Sequence, residues 1–112
     1  MSWTVVGAVL GFIGVAAGAF GAHGLKGALT PERLETFEVA VRYQLIHALA
    51  ILLASALGAP QAAAWFLAGV VIFSGSLYLL VLTDTRWLGA ITPIGGLCFL
   101  AGWGALALYG RR

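Results

Sequence analysis

Residues 43–83 read YQLIHALAILLASALGAPQAAAWFLAGVVIFSGSLYLLVLT and contain no Asp, Glu, Lys or Arg. A helix crossing a bilayer needs about 20 apolar residues at 1.5 Å rise each, so this run has room for two. Gly58-Ala59-Pro60-Gln61 divides it, with glycine where a helix stops and proline just beyond. The run is therefore a hairpin of two membrane helices. Outward from it, residues 1–25 and 87–110 are equally free of charge, and each holds one further span. The spans are expected near 3–22, 38–57, 62–82 and 88–109. Closed barrels are the other structures that can cross lipid. These runs lack the period-2 alternation of barrel strands. The expected fold is all-α: an integral membrane bundle of four transmembrane helices, one domain over residues 1–112.

Composition agrees. Of 112 residues, 62% are hydrophobic and 9% charged, against roughly 25% charged in a soluble domain. A chain this small cannot cover its surface with so few solvated groups, and lipid is the simplest solvent for it. The net charge is +2 and the basic residues are scattered. That excludes the basic stripe of a nucleic-acid partner and leaves membrane lipids as the expected surroundings. No Lys or Arg precedes the first run, so it lacks the positive leader region of a signal peptide and is expected to remain as a span. Trp3, Trp65, Trp87 and Tyr109 fall near span ends, as an interfacial aromatic belt requires.

The second span is the most informative. Thr30-Pro31-Glu32 is a helix start: an N-cap, proline at the first helical position, then an acid in the first turn. One helix from Pro31 to Leu57 follows. Its first part is an amphipathic segment in the interface, and Glu38, Arg42, Tyr43, Gln44 and His47 dip into the membrane. At about 100° per residue, Tyr43 and His47 share one stripe and Glu38 and Arg42 another. Glu38 and Arg42 stand in the favoured i,i+4 order for an ion pair. A charge inside the membrane normally faces protein or water, so the pair is expected to close and His47 to turn inward.

Helix one carries Gly7, Gly11, Gly14, Gly18 and Gly21, a glycine seam at coiled-coil spacing. Small residues let membrane helices approach closely. The seam must face another helix, either in this chain or in a partner. The small interior of four helices tips the expectation toward a homo-oligomer.

Polar side chains gather in the half of the membrane facing loops one and three. His23 ends helix one there, and Glu38 to His47 open helix two. Ser74, Ser76 and Tyr78 lie toward the loop-three end of helix three, level with Thr92-Pro93 of helix four. Pro93 removes a helical donor, and Ser74-Gly75-Ser76 loosens the facing helix. Interrupted helices that face each other point to binding sites in transporters, although Pro and Gly are common in membrane helices generally. His23, His47 and Cys98 fall short of a metal's usual ligand set, and no cofactor motif is present. A proton relay through His47, Tyr43 and Glu38 lacks a carboxylate in the other half of the bilayer. Ser76 has no nucleophile-elbow context, and the chain is read as no enzyme.

Four blocks carry a resemblance. They are Gly18-Ala19-Phe20-Gly21-Ala22-His23-Gly24, then Phe37-Glu38 with Val41-Arg42-Tyr43-Gln44-Leu45 and His47-Ala48-Leu49. Phe73-Ser74-Gly75-Ser76-Leu77-Tyr78 follows, then Ile91-Thr92-Pro93-Ile94-Gly95-Gly96 with Phe99-Leu100-Ala101-Gly102-Trp103. In this order they resemble the family of small membrane proteins called domain of unknown function 423, whose relatives include the eukaryotic transmembrane protein 256. The resemblance implies a four-helix architecture and a bacterial inner-membrane location, and no activity.

Two functional classes fit. The first is a small oligomeric carrier, channel or lipid- and ligand-binding protein with the one-sided polar cluster as its site. The second is a non-transporting assembly or scaffold subunit whose polar cluster only fixes the bundle. A buried His beside an ion pair and two interrupted helices favours the first. A water-filled cavity at His47 and Ser76 would mark it, and a closed, fully hydrogen-bonded cluster would mark the second. Loops one and three hold Lys26, Arg33, Arg42 and Arg86, and the other side holds Arg111 and Arg112. With Arg42 paired inside the membrane, this balance sets no orientation.

Overall fold

The computed structural model describes residues 2–111. Four helices are long and apolar enough to cross a membrane. They are helix one, Trp3–Leu25, helix two, Pro31–Leu57, helix three, Pro60–Thr83, and helix four, Arg86–Gly110. No strand occurs among the described residues. The long axis of the bundle is 49 Å, close to the ≈ 40–45 Å of a bilayer with its headgroups.

Local chemistry sets the ends. Thr30 accepts a hydrogen bond from the Arg33 amide at 3.2 Å, with Pro31 in the first turn of helix two. Gly58 closes that helix at φ 74°, a left-handed conformation that only glycine adopts without strain. Two orphan carbonyls in the middle hairpin are satisfied by side chains from other segments. The Arg33 guanidinium donates to Val81 O near the end of helix three. Tyr109 Oη donates to Leu57 O at the end of helix two. In lipid such carbonyls have no water to accept from, so both bonds hold the ends in place.

Helix one lies along helix two, helix two packs on helix three, and helix three on helix four. An ideal Cβ at Gly7 would meet Leu52, at Gly11 Ala48, at Gly14 Leu45, at Gly18 Val41 and at Gly21 Phe37. The whole glycine seam is thus occupied by helix two of the same chain. The expectation of a homo-oligomer through that seam is corrected: the interface is intrachain. Alanines supply the matching small surface between helices two and three, where Ala50, Ala54, Ala62 and Ala63 are buried with Ile51 and Phe66.

Helix four departs from its expected form. It opens with a 3-10 turn, Arg86–Ala90, and its α-helix runs Thr92–Gly110 with Pro93 in the first turn. Proline there removes an amide that has no intrahelical acceptor anyway, so Pro93 starts a helix and does not break one. Helix three carries its interruption earlier than Ser74-Gly75-Ser76, as a π turn over Val70–Ser74, and Gly75 and Ser76 lie in regular α-helix. Helix one has a second, Ala17–Gly21.

Candidate functional site

Helices three and four approach most closely through glycine. A Cβ at Gly95 would sit 2.4 Å from Phe73 N, one at Gly69 2.3 Å from the Phe99 ring, and one at Gly102 2.5 Å from the Phe66 ring. These contacts aim Phe66, Phe73 and Phe99 at helix two. There they form an aromatic box around His47, which is 4% exposed. The His47 ring stacks on Phe99 at a centroid distance of 3.6 Å and an interplanar angle of 9°. Phe66 and Trp103 pack at its edges, 5.6 and 5.9 Å away. Tyr43, one turn earlier on helix two, lies against Phe73 at 4.6 Å.

Both His47 nitrogens are engaged. Trp103 Nε1 donates to Nε2 at 3.1 Å, and Nδ1 stands 2.8 Å from Tyr43 O. An indole N–H only donates, so Nε2 is the acceptor and Nδ1 carries the proton that goes to Tyr43 O. The ring is held in one tautomer with no lone pair left over. A proton relay through it would end at Trp103, which cannot accept.

A second group lies beside the box. Gln44 Nε2 donates to Leu10 O of helix one at 2.8 Å, and Tyr78 Oη of helix three donates to Gln44 Oε1 at 2.6 Å. One buried amide thus ties three helices together. Ser74 Oγ, at the end of the π turn, donates to Ala40 O at 2.7 Å. Ser76 and Thr92 share a hydrogen bond of 2.6 Å, and Ser76 also donates to Phe73 O. No buried side-chain nitrogen or oxygen among the described residues lacks a partner.

The structure therefore brings Gln44 and Tyr78 together, and separately Ser76 and Thr92, with Ser74 on the backbone of helix two. His47 and Ser76 do not meet. His47 is level with Phe66, which is roughly 15 Å of helix rise from Ser76. Glu38 and Arg42 are exposed on the outside of helix two, away from these groups. The expected ion pair between them is absent: among the described residues the pair within 4.0 Å is Arg33–Asp84, at 3.9 Å. His23 is exposed near the end of helix one and takes no part in the cluster. Cys98 is buried and free. Among the described residues no three His, Cys, Asp or Glu gather as a metal would need.

Sequence reading missed Phe66, Phe99, Trp103 and the carbonyl of Leu10. A usable signal existed for the aromatics: Phe99 and Trp103 are i,i+4 on helix four, level with Gly69 and Phe66 on helix three. No signal existed for a backbone carbonyl exposed by a glycine-lined contact.

Cavities open at both ends of the bundle, away from His47. One, of about 380 Å³, adjoins Gly58, Gln61 and Tyr109 at loop two. The other, of about 700 Å³, adjoins Glu32, Arg33, Asp84 and Arg86 at loops one and three.

A family model described as Protein of unknown function (DUF423) matches residues 17–96. That stretch contains the hydrogen-bonded polar side chains from Gln44 to Thr92 and, of the aromatic box, Phe66 and Phe73 but not Phe99 or Trp103.

The chain belongs to the DUF423 family.

It is similar to UPF0382 membrane protein SH2409 of Staphylococcus haemolyticus, 48% identical over 105 residues, 88% of this chain and 86% of the relative. UPF0382 membrane protein SERP0230 of Staphylococcus epidermidis is 44% identical over 110 residues, covering 93% and 90%. UPF0382 membrane protein YwdK of Bacillus subtilis is 40% identical over 107 residues, covering 88% and 87%. No solved structure matches the chain. With four apolar helices and relatives named as membrane proteins, this DUF423 chain is an integral membrane protein.

Proposed function

We propose that the chain is a non-transporting assembly subunit of the bacterial plasma (inner) membrane, working by packing against other membrane-embedded protein. One observation carries this reading: the buried polar side chains are consumed by bonds inside the bundle. A ligand site keeps polar groups free to converge on a guest. Here His47 is spent on Tyr43 O and Trp103, Gln44 on Leu10 O and Tyr78, and Ser76 on Thr92 and Phe73 O. In hydrocarbon an unpaired amide or imidazole is costly, so this pattern suits groups kept to fix helix register. The same bonds support a non-catalytic reading, since Ser76 has no base within reach.

The carrier or ligand-binding reading stands second. The π turn beside Ser74 favours it, because such turns recur at functional sites. Liposomes loaded with a pH-sensitive dye and reconstituted with the full chain distinguish the two. The assembly reading expects proton and solute leakage equal to protein-free liposomes. Leakage that falls in His47→Phe would sink it.

A further inference from the structure

Helix two has one face that nothing in the bundle covers. Glu35, Glu38, Arg42, Ile46, Leu49, Leu53 and Ala56 are all exposed. Their spacing is 3, 4, 4, 3, 4, 3, and at 100° per residue they fall within an arc of roughly 80°. Helix one covers the side of Val41, Leu45 and Ala48, and helices three and four cover that of Ala40, His47 and Ala54. The exposed arc is therefore a continuous stripe, acidic and basic toward loop one and apolar toward loop two, where Leu49 is 68% exposed.

The stripe is odd for a surface facing lipid. Arg33 is level with Val81 and Asp84 at the end of helix three. Arg42 is roughly 14 Å of helix rise deeper, and Glu38 roughly 8 Å deeper. Both charges thus sit within the span, unpaired with each other, on the outside. Charged side chains inside a membrane almost always face protein or water and find an opposite charge. Glu38 and Arg42 are opposite in sign and one turn apart, which makes the stripe complementary to itself. Two copies inserted in the same orientation meet as parallel helices about a two-fold axis along the membrane normal. That axis makes the contact isologous: Glu38 of each copy stands about 6 Å of helix rise from Arg42 of the other, within reach of the long Arg side chain, and Leu49 and Leu53 meet below.

We propose that this face of helix two binds a second copy of the chain, with two reciprocal Glu38–Arg42 pairs closing the interface inside the membrane. The proposal rests on the assembly reading and names its partner.

The test uses the full chain in lipid bilayers at low protein-to-lipid ratio. Leu49→Cys, with native charges, should form a disulfide-linked dimer on oxidation, whereas Leu97→Cys on the exposed side of helix four should not. The native Cys98 is buried and serves as background. Glu38→Arg leaves the deep part of the stripe basic, and Arg42→Glu makes it wholly acidic. Each variant alone should self-associate at least about tenfold more weakly. A mixture of the two, carrying different tags, should co-purify as a hetero-dimer. That outcome requires contact between chains, because an ion pair within one helix cannot produce it. If a charge variant fails to insert, the Leu49→Cys cross-link in the native-charge chain still reads the interface. Absence of that cross-link, or co-purification no greater for the mixture than for either variant alone, overturns the proposal. So does charge satisfaction by lipid, seen as a monomeric chain whose Arg42 accessibility changes with anionic lipid. Solute flux through the native chain would sink the assembly reading and leave the dimer result standing.

Discussion

His47 shows how a residue that suggests chemistry can be committed to structure. Its ring spans from the Phe99 face to the Trp103 N–H, and both nitrogens are spoken for. His47→Ala removes the stack and both bonds and should cost about 3–5 kcal/mol, as deletion of a buried ring does. His47→Phe keeps the ring and strands the Trp103 donor, for about 1–3 kcal/mol. Unfolding titrations in mixed micelles measure both, and equal stability of all three chains would contradict the box. Gln44 offers a cleaner case. A double-mutant cycle of Gln44→Leu and Tyr78→Phe should give a coupling of roughly 0.6–1.7 kcal/mol, the range of hydrogen bonds between membrane helices. A coupling near zero would mean that the 2.6 Å contact contributes nothing.

At the scale of elements, glycine decides how close helices come. Gly95 and Gly96 are neighbours in sequence with opposite surroundings. A Cβ at Gly95 would strike the Phe73 backbone, while one at Gly96 meets nothing within 4 Å. Backbone cannot turn aside as a side chain can. Gly95→Ala should therefore lose on the order of 2–3 kcal/mol, and Gly96→Ala should be neutral or slightly stabilising through better helix propensity. The same micelle titration compares them, and equal effects would rule out the close approach. Helix one is softer at Gly14, whose nearest neighbours are the Leu45 and Gln44 side chains, than at Gly7, where the Ala48 carbonyl also stands at 3.0 Å.

For the whole molecule, the order of packing predicts which part separates first. Helix one lies on helix two, whereas helices three and four are locked by Phe66, Phe73 and Phe99 against glycine. Gly14→Leu forces a bulky side chain into the seam and should push helix one away. Spin labels at Val5 and Leu53, both exposed, should then move apart, while labels at Val71 and Leu97 keep their distance. If both distances change together, the bundle yields as one unit and this hierarchy is wrong.

Some of this was fixed by composition and local chemistry alone. Charge-free apolar runs longer than a bilayer is thick find their simplest solvent in lipid when the chain is this small, so residues 43–83 already pointed to a hairpin of two spans. Thr30-Pro31 and Gly58 marked the ends of helix two because their backbone and capping preferences are local. The glycine seam announced close packing, and Ser76 with Thr92 could be placed at one depth by counting rise per residue. Direction was another matter. Whether Gly7 to Gly21 face this chain or another depends on which helix happens to fill the seam. Whether Glu38 and Arg42 point in or out depends on the rotation of helix two, a choice fixed by Val41, Leu45 and His47 finding partners on three other helices. Periodicity gives the relative angles of side chains on one helix. Only the packing of all four sets the absolute angle, and with it which polar groups are sealed in the bundle and which are left on its surface.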